Sequence, residues 1–181
     1  MVQGEQALHA TCRCGAVKLA LDTAPFLSAV CYCDDCQAAG HRLEALESAP
    51  TVLDPDGGSD YVMVRKDRVR IASGQHHLAE FRLKPGSSTR RVVATCCNTP
   101  MFLDVTIAHW ITLFSDRLPP EARKPVEMRV MTKYRKSSLP YPDAALTYRD
   151  HTGRFVLKVL GAWIAMGFRR PRLPDYPQLS V

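Results

Sequence analysis

Short apolar runs separated by turn residues dominate the first two thirds of the chain. Residues 78–83 alternate apolar and polar positions, which is typical of a half-buried strand. Polar residues 65–67 separate two apolar runs and predict a β-hairpin. Strand-like stretches cover residues 17–21, 26–33, 61–64, 69–71, 78–83 and 91–94. Their spacing predicts a mainly β domain over about residues 8–115.

Two other segments have a different pattern. Residues 34–49 are rich in Ala, Leu, Gln and Glu and can hold one or two helical turns, but Pro50 and the turn residues after it predict a loop. Residues 126–131 are strand-like. Asp150 or Thr152 can cap a helix over about 151–170, which Pro171 ends. We therefore divide the chain into a β domain, 1–115, and a basic C-terminal extension, 116–181, packed on it.

The predicted helix is apolar on much of its surface, so it must be buried somewhere. Burial against the β domain is the first expectation, a homodimer contact the second, and a membrane surface the third. Its longest apolar stretch, 155–168, contains Lys158 and is shorter than the roughly 20 residues of a membrane span, so we expect no transmembrane segment. The first nine residues do not resemble a secretory signal, and we expect a cytoplasmic protein.

Basic residues are concentrated in the C-terminal third. The formal net charge is +6, and residues 121–181 contain 12 Lys and Arg against 5 Asp and Glu. A solvated basic surface explains this excess better than an anionic partner does. No reading motif for nucleic acid is present, so we expect no specific nucleic-acid binding.

Seven cysteines carry the main chemical signal. In the reducing cytosol, clustered thiols are expected to bind metal or to act in catalysis rather than to form disulfides. A redox function for the Cys33-x-x-Cys36 pair is disfavoured, because the βαβ context of thioredoxin-like motifs is missing. The cysteines fall into three groups: Cys12 and Cys14; Cys31, Cys33 and Cys36; and Cys96 and Cys97.

Soft thiolate ligands favour zinc, and seven thiols divide into four plus three. Four would form a closed structural site, and three would leave a coordination position open. The predicted structural ligands are Cys12, Cys14, Cys96 and Cys97, and the predicted open site contains Cys31, Cys33 and Cys36. Two zinc ions are therefore expected. A closed three-cysteine, one-histidine site is an alternative, with His41, His76, His77 or His109 as the fourth ligand.

The order of these motifs resembles that of the glutathione-dependent formaldehyde-activating enzyme family, which includes centromere protein V. The resemblance covers about residues 8–104. The matching elements are Cys12-x-Cys14-Gly15-x-Val17, Pro25, Cys31-x-Cys33-x-x-Cys36, Gly40, Gly74-x-x-x-Leu78, Phe81, Arg91 and Cys97-Asn98-Thr99-Pro100. The resemblance implies two splayed antiparallel sheets, a structural four-cysteine zinc site, and a three-cysteine zinc site where the glutathione thiol reacts.

The late motif departs from the family pattern of Cys-x-x-Cys-Gly. Aligning Cys97 with the second cysteine places Ala94 at the first and Asn98 at the glycine. Cys96 would then be the fourth structural ligand, or it would reach the second site and close it. The chain is identified as a divergent member.

The resemblance implies a carbon–sulfur lyase that joins formaldehyde to glutathione, as an S-(hydroxymethyl)glutathione synthase does. A glutathione-like substrate needs cationic anchors, and Lys84, Arg65, Arg90 and Arg91 lie near the motifs. We expect each of them to be a surface charge and assign none a role. The alternative function is a non-catalytic, zinc-stapled binding module that uses the basic C-terminal third for an anionic or protein partner.

Overall fold

The computed structural model describes residues 8–179, which form two β-sheets with two α-helices. The strands are β1 (Leu8–Thr11), β2 (Lys18–Leu21), β3 (Leu27–Cys31), β4 (Ser59–Arg65), β5 (Val69–Ser73), β6 (Leu78–Phe81), β7 (Thr89–Ala94), β8 (Thr99–Val105), β9 (Trp110–Phe114), β10 (Met128–Val130) and β11 (Leu146–Thr147). The helices are α1 (Asp34–Glu44) and α2 (Gly153–Ile164). The predicted mainly β fold with two sheets is confirmed. Residues 1–7 and 180–181, which the predicted domain ranges include, lie outside the described residues.

The small sheet has the order β1-β2-β5, and the large sheet has the order β11-β10-β3-β4-β9-β8-β7-β6. Most neighbouring strands are antiparallel. The expectation of purely antiparallel sheets is wrong at one edge, where β10 runs parallel to both β3 and β11. Strands β10 and β11 belong to the predicted extension, so residues after 115 continue the large sheet rather than only covering it.

Strands β4 and β5 do not form the predicted hairpin. They belong to different sheets, because the three-residue 3-10 turn between them carries the chain from one sheet to the other. Lys66, in this turn, is buried: its Nζ lies 2.7 Å from an Asp104 carboxylate oxygen and donates to the carbonyl oxygens of Val105 and Ala108. A buried lysine with these partners fixes a crossover, whereas a hairpin turn would leave it in solvent.

Helix α1 has 11 residues and is longer than the one or two helical turns predicted within residues 34–49. Cys33 is its N-cap residue, and the Cys33 Sγ accepts a hydrogen bond from the Cys36 backbone N–H at 3.4 Å. Ala39 and Leu43 are buried on its inner face. A cysteine cap is not one of the usual helix-start signals, which explains why the sequence pattern did not predict three turns of helix here.

Helix α2 is shorter than the predicted 151–170. Thr152 caps it, since its side chain accepts from the Arg154 backbone N–H. The helix ends before a turn in which Gly167 and Phe168 both have a φ of 58°. Its inner side meets the β domain through Phe155, which packs beside the buried residues of β3, β4 and β10.

Candidate metal centres and the adjoining cavity

Four cysteines from two distant turns meet at one end of the fold. Cys12 and Cys14 lie in the turn after β1, where Gly15 has a φ of +80°. Cys96 and Cys97 lie in the turn between β7 and β8. These four ligand sulfurs all lie within 4.8 Å of one another. The structure thus brings together the four cysteines that the sequence assigns to one structural site.

The spacing of these sulfurs suits tetrahedral zinc. Sulfurs at the corners of a tetrahedron with Zn–S bonds of about 2.3 Å lie about 3.8 Å apart. The Cys12 Sγ lies 3.6 Å from the Cys14 Sγ and 3.9 Å from the Cys96 Sγ. The Cys96 Sγ is also 3.4 Å from the Cys14 Sγ and 3.9 Å from the Cys97 Sγ. The group can therefore hold one metal ion, and its donor set is compatible with zinc.

The surroundings of Cys97 favour its thiolate form. Burial raises its pKa, but this effect is outweighed by hydrogen bonds from the Thr99 side chain and from the Cys14 backbone and side chain, which lower the pKa to about 6. The Cys97 Sγ lies 3.0 Å from Thr99 Oγ1, and the Arg13 backbone N–H donates to the same hydroxyl at 3.3 Å. Because metal binding requires deprotonated thiols, this hydrogen-bond network would make Cys97 a better ligand for a metal ion.

The second group contains Cys31, Cys33 and Cys36, with their sulfurs again within 4.8 Å of one another. Cys31 ends β3, and the other two lie at the N-terminus of α1. Hydrogen bonds from the Cys31 and Cys36 thiols lower the pKa of Cys33, and the Cys36 backbone N–H and the charge of Arg91 act in the same direction. Its thiolate also benefits from the positive end of the α1 dipole.

Among residues 8–179, no histidine nitrogen joins this three-cysteine group within the same distance. The four histidines proposed as a fourth ligand lie elsewhere. His109 contacts the Val159 carbonyl oxygen at 2.9 Å, His41 lies 3.3 Å from the Lys136 ammonium, and the tilted rings of His76 and His77 contact each other with centroids 4.0 Å apart. Cys96, the other proposed closing ligand, lies in the four-cysteine group. The described residues thus leave the three sulfurs without a fourth protein ligand at that distance.

A cavity of about 270 Å³ adjoins the three cysteines. Its wall is largely apolar and includes Met63, Leu103, Trp110, Val130 and Phe155. Polar lining residues include Asp35, Lys84, Ser87, Thr89, Arg91, Thr112 and His151. Such a mixture of apolar wall and a few convergent polar groups is typical of a small-molecule site.

Two lining residues were missed by sequence reasoning. His151 and Phe155 come from the C-terminal extension, and their rings lie 5.5 Å apart. The apolar pattern of α2 indicated that it needed a surface to pack on, but nothing in the sequence identified that surface. Only the packing of α2 across β3 and β4 brings these side chains to the cysteines.

The four basic residues near the motifs have different positions. The expectation that all are surface charges is wrong for Arg90 and Arg91, which are 2% and 4% exposed. Arg91 lines the cavity and donates to the Asp35 carbonyl oxygen at 3.1 Å. Arg90 pairs with Glu80 and Asp104 on the other face of β7, each at 2.8 Å. Lys84 lies at the exposed edge of the cavity, and Arg65 pairs with Asp67 away from it.

Fold and cysteine geometry together define a mainly β protein with two cysteine clusters that can hold metal ions. The chain belongs to the DUF6151 family, a family of unknown function, which matches residues 5–176. A crystal structure of a Rhodobacter sphaeroides protein, a structural-genomics target, is similar at 15% identity, with a TM-score of 0.41. The similarity covers 66% of this chain and 97% of that one. No curated protein matches the chain. No helix among the described residues is long and apolar enough to cross a membrane.

Proposed function

We propose that the protein is a zinc-dependent enzyme that adds a thiol, glutathione or a similar compound, to a small aldehyde. This is the chemistry of a carbon–sulfur lyase of the S-(hydroxymethyl)glutathione synthase type. The observation that supports it most is the three-cysteine group, whose sulfurs face a cavity and have no fourth protein ligand nearby among the described residues. The motif order that resembles the formaldehyde-activating family gives independent support.

Cys31, Cys33 and Cys36 would hold the zinc ion, which would supply a coordination position for an incoming thiol and favour its thiolate form. Three thiolates leave a net negative charge on such a site, and the buried Arg91 lies where it can offset that charge. Cys33 and Cys36 are held by the first turn of α1, so their positions are fixed before substrate arrives. The chain thus supplies a preorganised site rather than one assembled by the ligand.

The reaction is an addition without a leaving group or redox change. The thiol sulfur forms a bond to the carbonyl carbon, the C=O π electrons move to oxygen, and the proton lost by the thiol is restored on that oxygen. His151, an imidazole on the cavity wall, is our proposed proton donor. Apolar lining residues exclude water, which would otherwise hydrate the aldehyde.

The direct test is the exchange rate between free formaldehyde, glutathione and S-hydroxymethylglutathione, measured by NMR with zinc-loaded protein. We expect acceleration over the spontaneous reaction, and we expect Cys36→Ser to reduce it to the spontaneous rate while circular dichroism stays unchanged. His151→Gln should slow the reaction by about 100-fold, as expected for loss of a general acid. Equal rates with and without protein would contradict the proposal.

A second candidate function is a non-catalytic, zinc-stapled binding module. One observation favours it: several large apolar side chains of α2 remain exposed. In this alternative the extension engages a partner and both metal sites are structural. The exchange experiment separates the two functions, because only the enzyme accelerates the reaction.

A further inference from the structure

The cavity beside Cys31, Cys33 and Cys36 has two chemically different parts. Its exposed rim holds Lys84 and Asp35, whose charged atoms lie 3.1 Å apart and whose side chains are 70% and 61% exposed. Its interior is formed mostly by aromatic and aliphatic side chains, among them Trp110 and Phe155, with the buried Arg91 on the side of the cysteines. One part therefore suits charged groups, and the other suits an apolar group.

The two parts of the cavity suit different reactants, the thiol at the rim and the carbonyl compound in the interior. A glutathione-like thiol carries carboxylates and an ammonium group, which cannot be desolvated against an apolar wall without a large cost. Rim charges of both signs can accommodate such groups in contact with solvent. The interior then remains for the substituent of the carbonyl compound, and formaldehyde, which has no substituent, would leave that wall uncovered.

We propose that the preferred carbonyl substrate is an apolar aldehyde whose aromatic or branched aliphatic substituent packs against Trp110 and Phe155. This inference rests on the proposed function and specifies its substrate class. The product is a hemithioacetal: a C–S bond forms, the C=O bond becomes C–OH, and the thiol proton ends on oxygen.

The activity test compares phenylacetaldehyde with formaldehyde, using glutathione as the thiol. We expect kcat/KM to be at least about tenfold higher for phenylacetaldehyde, in line with the discrimination of an apolar pocket. Trp110→Ala and Phe155→Ala should reduce that ratio, whereas Phe168→Ala, an exposed aromatic residue outside the cavity lining, should not change it. A higher kcat/KM for formaldehyde would overturn the inference and leave the proposed function intact.

A binding measurement does not depend on turnover. The chain has two tryptophans, so Trp163→Phe leaves Trp110 as the single tryptophan, whose emission is excited selectively over that of the tyrosines at the red edge of the absorption band. Titration with phenylacetone, an unreactive ketone shaped like phenylacetaldehyde, should give a saturable change in emission, and acetone should give none. Saturable binding without thiol addition to any aldehyde would reject the proposed function but support the ligand class. No saturable change would overturn the ligand class.

A separate observation concerns the outer face of α2. Five apolar side chains on this helix and its following turn are between 40% and 68% exposed. They are Val156, Leu157, Leu160, Ile164 and Phe168. The four on α2 are spaced three and four residues apart and form one stripe, and Phe168 lies in the turn that follows, unlike the single apolar residues scattered on ordinary surfaces.

The charged residues of this segment are all basic, although Lys158 pairs with Glu127 and Arg169 lies 4.0 Å from Asp67. Residues 151–172 contain five cationic side chains and no Asp or Glu. The cations are Arg154, Lys158, Arg169, Arg170 and Arg172. Contact with the same stripe on a second copy would bring these cations together, because a two-fold contact pairs like with like. A partner that combines apolar groups with anionic groups complements this face. The apolar groups would contact the stripe, and the anionic groups would pair with the cations around it.

We infer that this face of α2 docks on an anionic lipid surface, lying in the interface with the apolar stripe in the acyl boundary and the cations among the headgroups. The helix does not need to cross the bilayer to bind in this way. Docking would also bring the loop that carries His151 close to the lipid surface.

Vesicle co-sedimentation tests this inference. Phosphatidylcholine vesicles with about 30% phosphatidylglycerol should bind the protein, pure phosphatidylcholine vesicles should bind it less, and high salt should weaken binding. Leu157→Gln with Leu160→Gln should abolish binding, whereas Ile107→Gln with Leu139→Gln, at equally exposed apolar positions elsewhere, should not. The inference fails if the anionic vesicles do not bind. It also fails if light scattering shows a dimer that only the α2 double variant dissociates.

Discussion

Arg91 is the residue that links the three-cysteine group to its cavity. It is buried, it contacts the start of α1 through the Asp35 carbonyl oxygen, and its charge helps to lower the pKa of Cys33. Its neighbour Arg90 points the opposite way into a separate ion network with Glu80 and Asp104. Two adjacent arginines of one strand therefore serve two different parts of the molecule.

Replacing Arg91 should weaken metal binding at the three-cysteine site. In Arg91→Gln the pKa of Cys33 rises, and protons compete better with the metal. We expect about tenfold lower zinc affinity at neutral pH, with a difference that grows as the pH falls. Chelator competition between pH 6 and 8 measures it. Lys84→Gln, at the exposed rim, is the matched control, and an equal loss in both variants would contradict this assignment.

Replacing Arg90 should instead destabilise the fold. Arg90→Met leaves the buried Glu80 carboxylate with Arg82 and the buried Asp104 carboxylate with Lys66, and loss of one partner of a buried ion pair costs up to about 3–5 kcal/mol. Urea denaturation measures this loss. Arg70→Met, which removes a solvent-exposed pair with Asp22, should cost less than about 1 kcal/mol. Similar losses in the two variants would show that the Arg90 network does not contribute as described.

At the level of single residues, the sequence predicted the cysteines but not their neighbours. The grouping of seven thiols follows from motif spacing and ligand count, and the metal-binding role itself stays a prediction. The period-2 pattern of β7 requires Arg90 and Arg91 to face opposite sides. It does not say that both sides are buried, because that depends on α1 and on residues 173–176, which are far away in the sequence.

At the scale of elements, the turn before β6 depends on one glycine. Gly74 has a φ of +73°, and a Cβ there would lie 2.5 Å from the Ala16 carbonyl oxygen, close to the Cys12–Cys14 turn. Gly86 has a similar φ of +72°, with nothing within 4 Å of the same position. Both glycines have a left-handed backbone conformation, but only at Gly74 would an added Cβ clash with the backbone.

Gly74→Ala should therefore lower stability more than Gly86→Ala. Gly86→Ala carries only the cost of a left-handed residue, about 1 kcal/mol, whereas Gly74→Ala adds a backbone clash of about 1–3 kcal/mol. Thermal denaturation of both variants gives the comparison. Equal melting temperatures would show that the turn before β6 can shift without loss of stability.

The sequence pattern predicted most strands, and it failed for elements whose position depends on contacts with residues far away in the sequence. The alternation at residues 78–83 and the Thr152 cap correspond to β6 and α2. The predicted β4–β5 hairpin is wrong, and the helical turns predicted within residues 34–49 are too few. The burial of Lys66 beside Asp104 and the cap by the Cys33 sulfur are contacts that the local sequence pattern does not reveal.

At the scale of the whole molecule, the four-cysteine group joins the β1 turn to the β7–β8 turn, across more than 80 residues of sequence. Metal binding that closes such a loop contributes to folding free energy. Cys14→Ser should markedly lower the melting temperature and the solubility, and it should remove about one zinc per chain. Thermal scans with native mass spectrometry test both effects, and unchanged stability with unchanged metal content would count against the site.

The extension contributes three of the cavity's lining residues, Val130, His151 and Phe155, and the first domain contributes the others. Sequence patterns predicted its helix, yet they placed the reactive site entirely within the first domain, because His151 and Phe155 reach it only through the packing of α2. The resemblance to the formaldehyde-activating family rests on motif order alone, and the DUF6151 match carries no function. Substrate chemistry therefore has to be tested directly.

The open coordination position is the central claim, and X-ray absorption at the zinc edge tests it most directly. With one four-cysteine and one three-cysteine site, zinc-loaded protein should show about 3.5 sulfur neighbours per zinc, rising to about 4 when glutathione is added. Cys36→Ser should remove that rise without disturbing the fold. Zinc already surrounded by protein ligands at both sites, with no change on adding any thiol, would contradict the account.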